Sequence, residues 1–123
     1  MQRKTQQRDT ILQVMQAADR PLSPTEILTA AQSQTPGLGI ATVYRALKEF
    51  AQSGLVETVE LPGASDRYEI VGKDHHHHFW CRECDRVFDV EGCSGNIGTN
   101  TPRGFRAEDH DVLIKGLCAK CVS

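Results

Sequence analysis

Four of the five cysteines in this 123-residue chain form two matched pairs with the spacing of metal ligands. Two residues separate the thiols in each pair, which are Cys81 with Cys84 and Cys118 with Cys121. Thiolates bind zinc strongly, and four of them form the closed tetrahedral shell of a structural zinc site. Two redox-active dithiols are the alternative. A structural Zn²⁺ site is favoured, because a small β-rich region needs a cross-link for stability.

Histidines form the second group of candidate ligands. A run of four, residues 75–78, ends three positions before the first cysteine pair, and His110 precedes the second pair by eight positions. Side chains alternate between the two faces of a β-strand. A strand through the run would therefore offer one histidine pair on each face, namely His75 with His77 and His76 with His78. Each pair could bind a separate metal ion.

Neighbouring segments could supply further ligands to both histidine pairs. Glu69 on a preceding strand and Asp89 on a following strand could serve one pair, and His110 could serve the other. Cys93 could be a small buried residue, a reactive thiol or a metal ligand. Imidazole binds zinc, iron, nickel, manganese and copper alike, so the pattern does not identify the ion.

The first 74 residues contain neither cysteine nor histidine, and their pattern predicts three helices and a β-hairpin. The helices are predicted over residues 9–18, from residue 24 onward and over about 41–53, and the strands over 55–61 and 67–71. Ser23 and Glu26 form a capping box at the start of the second helix, and Gly54 is placed to end the third. This order is typical of a winged helix-turn-helix.

The third helix of a winged helix-turn-helix can enter the major groove of DNA. Its outer face carries four candidate contact residues, which are Thr42, Tyr44, Arg45 and Lys48. Three basic residues near the N-terminus could contact phosphates or the minor groove, and these are Arg3, Lys4 and Arg8. Winged helices also mediate protein contacts, so protein binding is the alternative function of this half.

Composition indicates a small folded protein of one or two domains. Hydrophobic residues make up 39% of the chain and charged residues 24%. The net charge of −2 excludes a histone-like protein that binds DNA through bulk charge. No apolar run approaches the roughly 18–20 residues that cross a bilayer, and no apolar segment follows the basic N-terminus. Neither a membrane partner nor a secretory signal is therefore expected.

Together the two halves resemble the ferric uptake regulator family. Residues 39–47 and 53–56 are similar to the family's recognition-helix signature. Residues 66–69, the histidine run and the two cysteine pairs follow in the order and spacing of the family's second domain. The resemblance implies an α+β fold, with a winged-helix DNA-binding domain over residues 1–62. A small α/β domain for metal binding and dimerisation would follow over residues 67–123.

The resemblance also implies a bacterial, cytoplasmic, homodimeric repressor that binds palindromic double-stranded operator DNA when loaded with a divalent metal. At the matching positions, the structural zinc ligands are Cys81, Cys84, Cys118 and Cys121. The regulatory ligands are Glu69, His76, His78 and Asp89. An additional metal site takes His75, His77 and His110, with Cys93 as a further candidate. Tyr44 and Arg45 match the positions that contact bases and phosphates.

Two features bear on the regulatory metal and favour different ions. Residues 116–121 are most similar to zinc uptake regulators, and Cys93 offers a soft ligand, so Zn²⁺ is favoured. The regulatory ligand set is also similar to that of iron and peroxide sensors, so Fe²⁺ is next. In the alternative function, a peroxide- or thiol-sensing repressor, His76, His78 or Cys93 is oxidised. No enzyme is expected, because a metallo-hydrolase would need a ligand helix and a nucleophile motif that the sequence lacks.

Three segments depart from the family pattern. Residues 20–23 contain no histidine where the family usually supplies a regulatory ligand, and Glu57 or Cys93 could replace it. Residues 92–102 are rich in helix breakers where the family has its long dimerisation helix. Residues 5–8 read Thr-Gln-Gln-Arg where the family's first helix usually has Thr-Pro-Gln-Arg, and few residues precede them, which predicts a shortened or absent N-terminal helix.

Overall fold

The computed structural model describes residues 2–72, 76–91, 101–108, 110 and 112–122, with backbone alone at 2–4 and 91. The chain divides into two compact units, residues 1–72 and 73–123. Its elements are α1 (Gln2–Ala18), α2 (Pro24–Ala31), α3 (Ile40–Gln52), β1 (Val56–Val59), β2 (Arg67–Ile70), β3 (His76–Cys81), β4 (Val87–Glu91) and β5 (Leu113–Gly116). The predicted α+β class is therefore confirmed. No helix in the described part of the chain is long and apolar enough to cross a membrane.

Helix α1 begins seven residues before its predicted start at residue 9. The segment ahead of residue 9 contains glutamine, arginine, lysine and threonine but no glycine or proline, so nothing in it interrupts a helix. Helix α1 contains the motif at residues 5–8, so the expectation of a shortened or absent N-terminal helix ahead of that motif stays a prediction. Helix α2 has the predicted capping box, in which the Ser23 hydroxyl accepts the Glu26 N–H at 3.1 Å and the Glu26 carboxylate accepts the Ser23 N–H at 3.0 Å.

The core of the first unit forms where the three helices meet. Helix α3 contributes a stripe of buried residues at helical spacing, which are Val43, Ala46, Leu47 and Phe50. They pack with Ile11 and Met15 of α1 and with Ile27 of α2. Gly54 follows α3 with a φ of 77°, a left-handed conformation that suits glycine and turns the chain into β1.

Strands β1 and β2 form an antiparallel hairpin, with Val56 opposite Ile70 and Val59 opposite Arg67. Leu22 adds a short bridge, because its N–H and carbonyl both pair with Tyr68, at 2.9 and 2.8 Å. Three helices with this small sheet form the predicted winged helix. The predicted second domain began at residue 67, but β2 pairs with β1 and Leu22, so the boundary lies after residue 72.

The second unit contains a three-stranded sheet in the order β4-β3-β5. Strand β3 is central, antiparallel to β4 and parallel to β5. Because side chains alternate along β3, its two faces differ in chemistry. One face carries His76, His78 and Trp80, and the other carries His77, Phe79 and Cys81. The described residues of this unit form strands and turns, while most of the predicted breaker-rich segment, residues 92–100, lies outside them.

Candidate metal centres and nucleic-acid interface

Two turns at one end of the second sheet bring four thiols together. One turn follows β3 and the other follows β5, and these neighbouring strands are parallel, so both turns lie at the same end. The Sγ atoms of Cys81, Cys84, Cys118 and Cys121 lie within 4.8 Å of one another. The Cys84 and Cys118 sulfurs are 3.9 Å apart. Four sulfurs around a tetrahedral zinc ion are about 3.8 Å apart, so this donor set and spacing fit zinc.

Backbone N–H groups of the cluster stabilise the thiolate form of two of its cysteines, the form that binds a cation. The N–H groups of Cys84 and Cys118 donate to Cys81 Sγ at 3.5 and 3.4 Å. The Cys84 N–H contributes most to lowering the pKa of Cys81, to about 6. Burial acts to raise the pKa of Cys118, but the N–H groups of Cys121 and Lys120 outweigh it and lower that pKa.

Cys121 has the opposite behaviour. Its thiol is hydrogen-bonded to the Cys118 sulfur and is also desolvated, and together these effects raise the pKa of Cys121 to about 12. Adjacent sulfurs therefore divide into thiolate and thiol, because several negative charges cannot share a small volume without a cation. A divalent ion would remove this repulsion and allow all four sulfurs to ionise.

A second cluster lies where β3 pairs with β4. His78 is directly opposite Asp89, and His76 lies two residues earlier on the same face. Asp89 Oδ1 is 3.4 Å from His76 Nε2 and 3.7 Å from His78 Nε2, and the two imidazole rings meet edge to face at 5.0 Å. Ligand atoms around a tetrahedral ion with bonds near 2.1 Å are about 3.4 Å apart. The spacing of these two nitrogens and one oxygen therefore fits three ligands of one divalent metal ion.

Glu69, the fourth predicted regulatory ligand, belongs to the first unit. It lies on β2 opposite Glu57 of β1. Glu69 is buried, with 3% of its surface exposed, whereas Glu57 is exposed. Glutamate side chains are mostly exposed in folded proteins, so the burial of Glu69 is unusual for a glutamate on a hairpin. Its role as a ligand stays a prediction.

The opposite face of β3 carries His77, one of the residues predicted for the additional site. Its ring centroid is 5.1 Å from that of His110, so the structure brings these two predicted ligands together. His77 Nδ1 accepts the Val112 N–H at 3.1 Å, so the backbone of the segment before β5 holds this ring in place. His75 and Cys93 lie outside the described residues.

Helix α3 presents the predicted DNA-contact residues on its outer face. Tyr44 is 52% exposed, and Arg45 and Lys48 are also exposed. The Arg45 guanidinium donates to the Thr42 hydroxyl at 3.1 Å, which orients it along the helix. This face therefore carries hydrogen-bonding and cationic groups that suit base edges and phosphates.

Of the three N-terminal basic residues predicted to contact DNA, Arg8 has a described side chain. Arg8 lies against α3, with its guanidinium 3.5 Å from the Glu49 carboxylate and 5.8 Å from the centroid of the Phe50 ring. Its side chain is half exposed. The side chains of Arg3 and Lys4 lie outside the described part of α1.

One contact beside the histidine cluster was not predicted from the sequence. Trp80 Nε1 donates to Asp85 Oδ1 at 2.8 Å, and Lys115 Nζ lies 4.8 Å from the indole centroid. Strand alternation places Trp80 on the face of His76 and His78, which is the signal that could have identified it. The link to Asp85 depends on the conformation of a turn, which no spacing rule predicts.

The other face of the sheet is apolar and open. It borders a cavity of about 680 Å³ that extends to the cysteine cluster. The apolar lining residues are Phe79, Phe88, Val90, Leu117 and Ala119. Arg86 and Lys120 are its cationic residues. Ile114, on the neighbouring strand β5, is 42% exposed. Apolar patches of this kind on a soluble unit mark interaction surfaces.

Known proteins match the chain over both units. The family model described as "Ferric uptake regulator family" matches residues 2–115. A peroxide operon regulator of Bacillus subtilis is 30% identical over 127 residues, which cover 97% of this chain and 83% of that protein. The ferric uptake regulator of Francisella tularensis, solved with iron, has a TM-score of 0.75 at 27% identity and covers 94% of this chain and 91% of its own. FurB of M. tuberculosis, described as a zinc uptake regulator, has a TM-score of 0.55 at 30% identity, with coverages of 97% and 95%.

The matched region includes the winged helix, the histidine run and most of β5. Proteins of this family are transcriptional regulators and not enzymes, in agreement with the expectation from sequence. The chain belongs to the ferric uptake regulator family.

Proposed function

We propose that the chain is a metal-dependent repressor that binds palindromic operator DNA as a homodimer and controls metal-uptake genes. The observation that supports this most directly is the cluster of His76, His78 and Asp89, in which two imidazole nitrogens surround one carboxylate oxygen. The same chain carries a winged helix with exposed hydrogen-bonding residues on α3. A repressor acts on the chromosome, so the proposed location is the cytoplasm.

The four cysteines are proposed to hold a structural Zn²⁺. Their thiolates would join the turn after β3 to the turn after β5, which are 34 positions apart in sequence at Cys84 and Cys118. Zinc supplies a tetrahedral cross-link here and takes part in no reaction. The two N–H groups that point at Cys81 support this role, because they stabilise a thiolate before any ion binds.

Glu69 is proposed as the residue that connects metal binding to DNA binding. Glu69 belongs to the winged-helix unit, whereas His76, His78 and Asp89 belong to the second unit. Four donors on one ion would favour a single arrangement of the two units. In a two-fold dimer, that arrangement fixes the spacing of the two α3 helices, which must match successive half-sites. The ion then acts through its higher affinity for the DNA-binding state.

We propose Zn²⁺ as the sensed ion, with Fe²⁺ next. Imidazole and carboxylate donors bind both ions, so the described cluster does not separate them. The similar proteins named above are regulators of zinc, iron and peroxide responses, at identities of 27–30%. The preference for zinc rests on residues 116–121 and on the soft donor Cys93.

A peroxide-sensing repressor is the second candidate. It is supported by the 30% identity to the Bacillus subtilis peroxide operon regulator and by the two histidines that an iron ion would hold. In that case the iron-loaded protein should lose operator binding after mild peroxide, with a gain of one oxygen on His76 or His78. An iron-loaded protein that stays unmodified and bound after peroxide would exclude this candidate.

The homodimer is proposed to form through the open apolar face of the second unit, at Phe79, Phe88 and Val90. The face opposite to it carries His76, His78 and Asp89, so the apolar face is the one left for a partner copy. Phe88→Asp should convert the dimer to a monomer in sedimentation experiments while zinc content stays unchanged. Arg103→Asp, which introduces a carboxylate at an exposed position outside the residues that line this face, is the control. A Phe88→Asp variant that stays dimeric would place the interface elsewhere.

The function is tested with protein that carries only its structural zinc. Zn²⁺, Fe²⁺, Mn²⁺ and Ni²⁺ are added in turn, and binding to a duplex selected from a random palindromic pool is followed by fluorescence anisotropy at fixed salt. We expect at least one ion to raise affinity at least tenfold, and His78→Ala to abolish that gain. Glu83→Ala removes an exposed carboxylate outside this cluster and should keep the gain. No gain with any of the four ions would contradict the proposed function.

A further inference from the structure

The only tryptophan of the chain connects the two candidate metal clusters. Trp80 lies on β3 directly before Cys81, and its side chain lies on the face that carries His78. Its indole Nε1 donates to Asp85 Oδ1 at 2.8 Å, and Asp85 directly follows Cys84. One hydrogen bond therefore joins the cysteine turn to the face that bears the histidines.

The backbone at Asp85 is held in an uncommon conformation. Its φ is 64°, in the left-handed region that favours glycine over residues with a side chain. The Asp85 N–H donates to the Cys81 carbonyl at 2.9 Å, which closes the turn around the first cysteine pair. Glycine would adopt this backbone conformation at least as easily, so the conformation does not explain why the residue is aspartate. The hydrogen bond from Trp80 to its carboxylate does.

The indole is held on its other side as well. Lys115, directly opposite Trp80 on β5, places its ammonium 4.8 Å from the indole centroid. On β4, Val87 is opposite Trp80, and Asp89 follows two residues later on the same face. Trp80 is thus next to both His78 and Asp89 on that face and is 8% exposed.

We propose that Asp85 is a positioning residue for the histidine cluster. Its carboxylate fixes the Trp80 indole beside His78 and Asp89, so that metal affinity at this cluster depends on the integrity of the cysteine turn. The inference rests on the proposed role of the cluster as the regulatory site. Residues that hold metal ligands in place from outside typically change metal affinity by 10- to 100-fold.

Three variants of the full, zinc-loaded chain test this inference with Co²⁺ as the probe. Asp85→Gly removes the carboxylate and relieves the left-handed backbone. Asp85→Asn keeps an acceptor oxygen at the same position. Glu83→Gln removes an exposed charge from the same turn and is the control. Affinity is measured from Co²⁺ absorbance, and Trp80 emission is recorded before Co²⁺ is added.

Asp85→Gly should weaken Co²⁺ binding by about tenfold and shift the Trp80 emission, with structural zinc retained. Asp85→Asn should restore affinity to within about threefold of the unmodified chain, and Glu83→Gln should equal it. An Asp85→Gly variant with unchanged Co²⁺ affinity would overturn the inference alone. Equal Co²⁺ binding by the unmodified chain and His78→Ala would instead contradict the proposed function of the cluster, and the inference with it. If Asp85→Gly loses zinc, Trp80→Phe decides, because it removes only the donor and should reproduce the weakened binding.

Discussion

Single residues determine which sulfur of the cysteine cluster carries charge. Cys81 is completely buried, and its sulfur accepts hydrogen bonds from two backbone N–H groups. The Cys121 thiol is instead hydrogen-bonded to the Cys118 sulfur. The cysteine pairs could be predicted from sequence because their spacing is local. The division of charge among them could not, since it depends on backbone N–H directions in two turns that are far apart in the chain.

The buried position of Cys81 predicts a large effect of its substitution. Cys81→Ser should remove the bound zinc and lower the free energy of unfolding of the second unit by ~3 kcal/mol or more, because metal binding contributes directly to folding. Elemental analysis and thermal unfolding check both effects. Arg82→Ser, an exposed neighbour in the same turn, should keep zinc and stability. Retention of one zinc per chain in Cys81→Ser would be inconsistent with the four-cysteine site.

Proton release on zinc binding tests the charge distribution in the metal-free cluster. The pKa values are about 6 for Cys81 and about 12 for Cys121, so at pH 8 the first is a thiolate and the second is a thiol. Zinc must displace the Cys121 proton but none from Cys81, so fewer than four protons should leave. Affinity should rise with pH, because Cys121 deprotonates more easily. Calorimetry in two buffers of different ionisation enthalpy counts the protons, and a release of four would contradict these pKa values.

At the scale of elements, strand β3 is the feature that organises both candidate metal clusters. Its alternation could be predicted from four adjacent histidines, and the structure places His76 with Asp89 and His77 with His110 on opposite faces. The start of α1 could not be predicted from apolar spacing, because its first turns carry no apolar stripe and form through helix propensity alone.

The capping box at the N-terminus of α2 stabilises the first turn of this helix and, through it, the winged-helix unit. The Glu26 carboxylate accepts a hydrogen bond from the Ser23 N–H and another from the Arg20 guanidinium, with 2.7 Å between Nη2 and Oε2. Ser23→Ala should lower the free energy of unfolding of the first unit by about 1 kcal/mol, since one N–H of the first turn loses its acceptor. Urea unfolding measures the change, with Thr25→Ala as the exposed control. Equal stability of Ser23→Ala and the unmodified chain would argue against a contribution from the cap.

Helix α3 is the element through which sequence would be read. Arg45→Ala should weaken operator binding by about 1–3 kcal/mol, because a guanidinium can contact a base edge or a phosphate with two hydrogen bonds. The fold increase in affinity on adding metal should stay the same, since α3 is separate from the metal ligands in sequence. Anisotropy with the selected duplex measures both quantities. Gln52→Ala, exposed at the end of α3, is the control, and unchanged operator affinity in Arg45→Ala would remove this residue from the interface.

At the scale of the whole molecule, the chain combines a winged helix that contains neither cysteine nor histidine with a unit that carries all of its cysteines and histidines. This division could be predicted from composition, because the cysteines and histidines are confined to positions 75–121. The boundary itself could not, since Arg67, Tyr68 and Glu69 read equally well as the start of a second domain. Only the pairing of β2 with β1 and Leu22 assigns them to the first unit.

The central claim is that metal at the histidine cluster and operator DNA at α3 stabilise the same state of the dimer. Thermodynamic linkage requires that each ligand raise the affinity for the other by the same factor. The most direct measurement is therefore a calorimetric titration of metal into the zinc-loaded dimer, with and without the selected operator duplex. We predict that operator tightens metal binding by the factor with which metal tightens operator binding. Identical metal affinity in the two titrations would contradict the account.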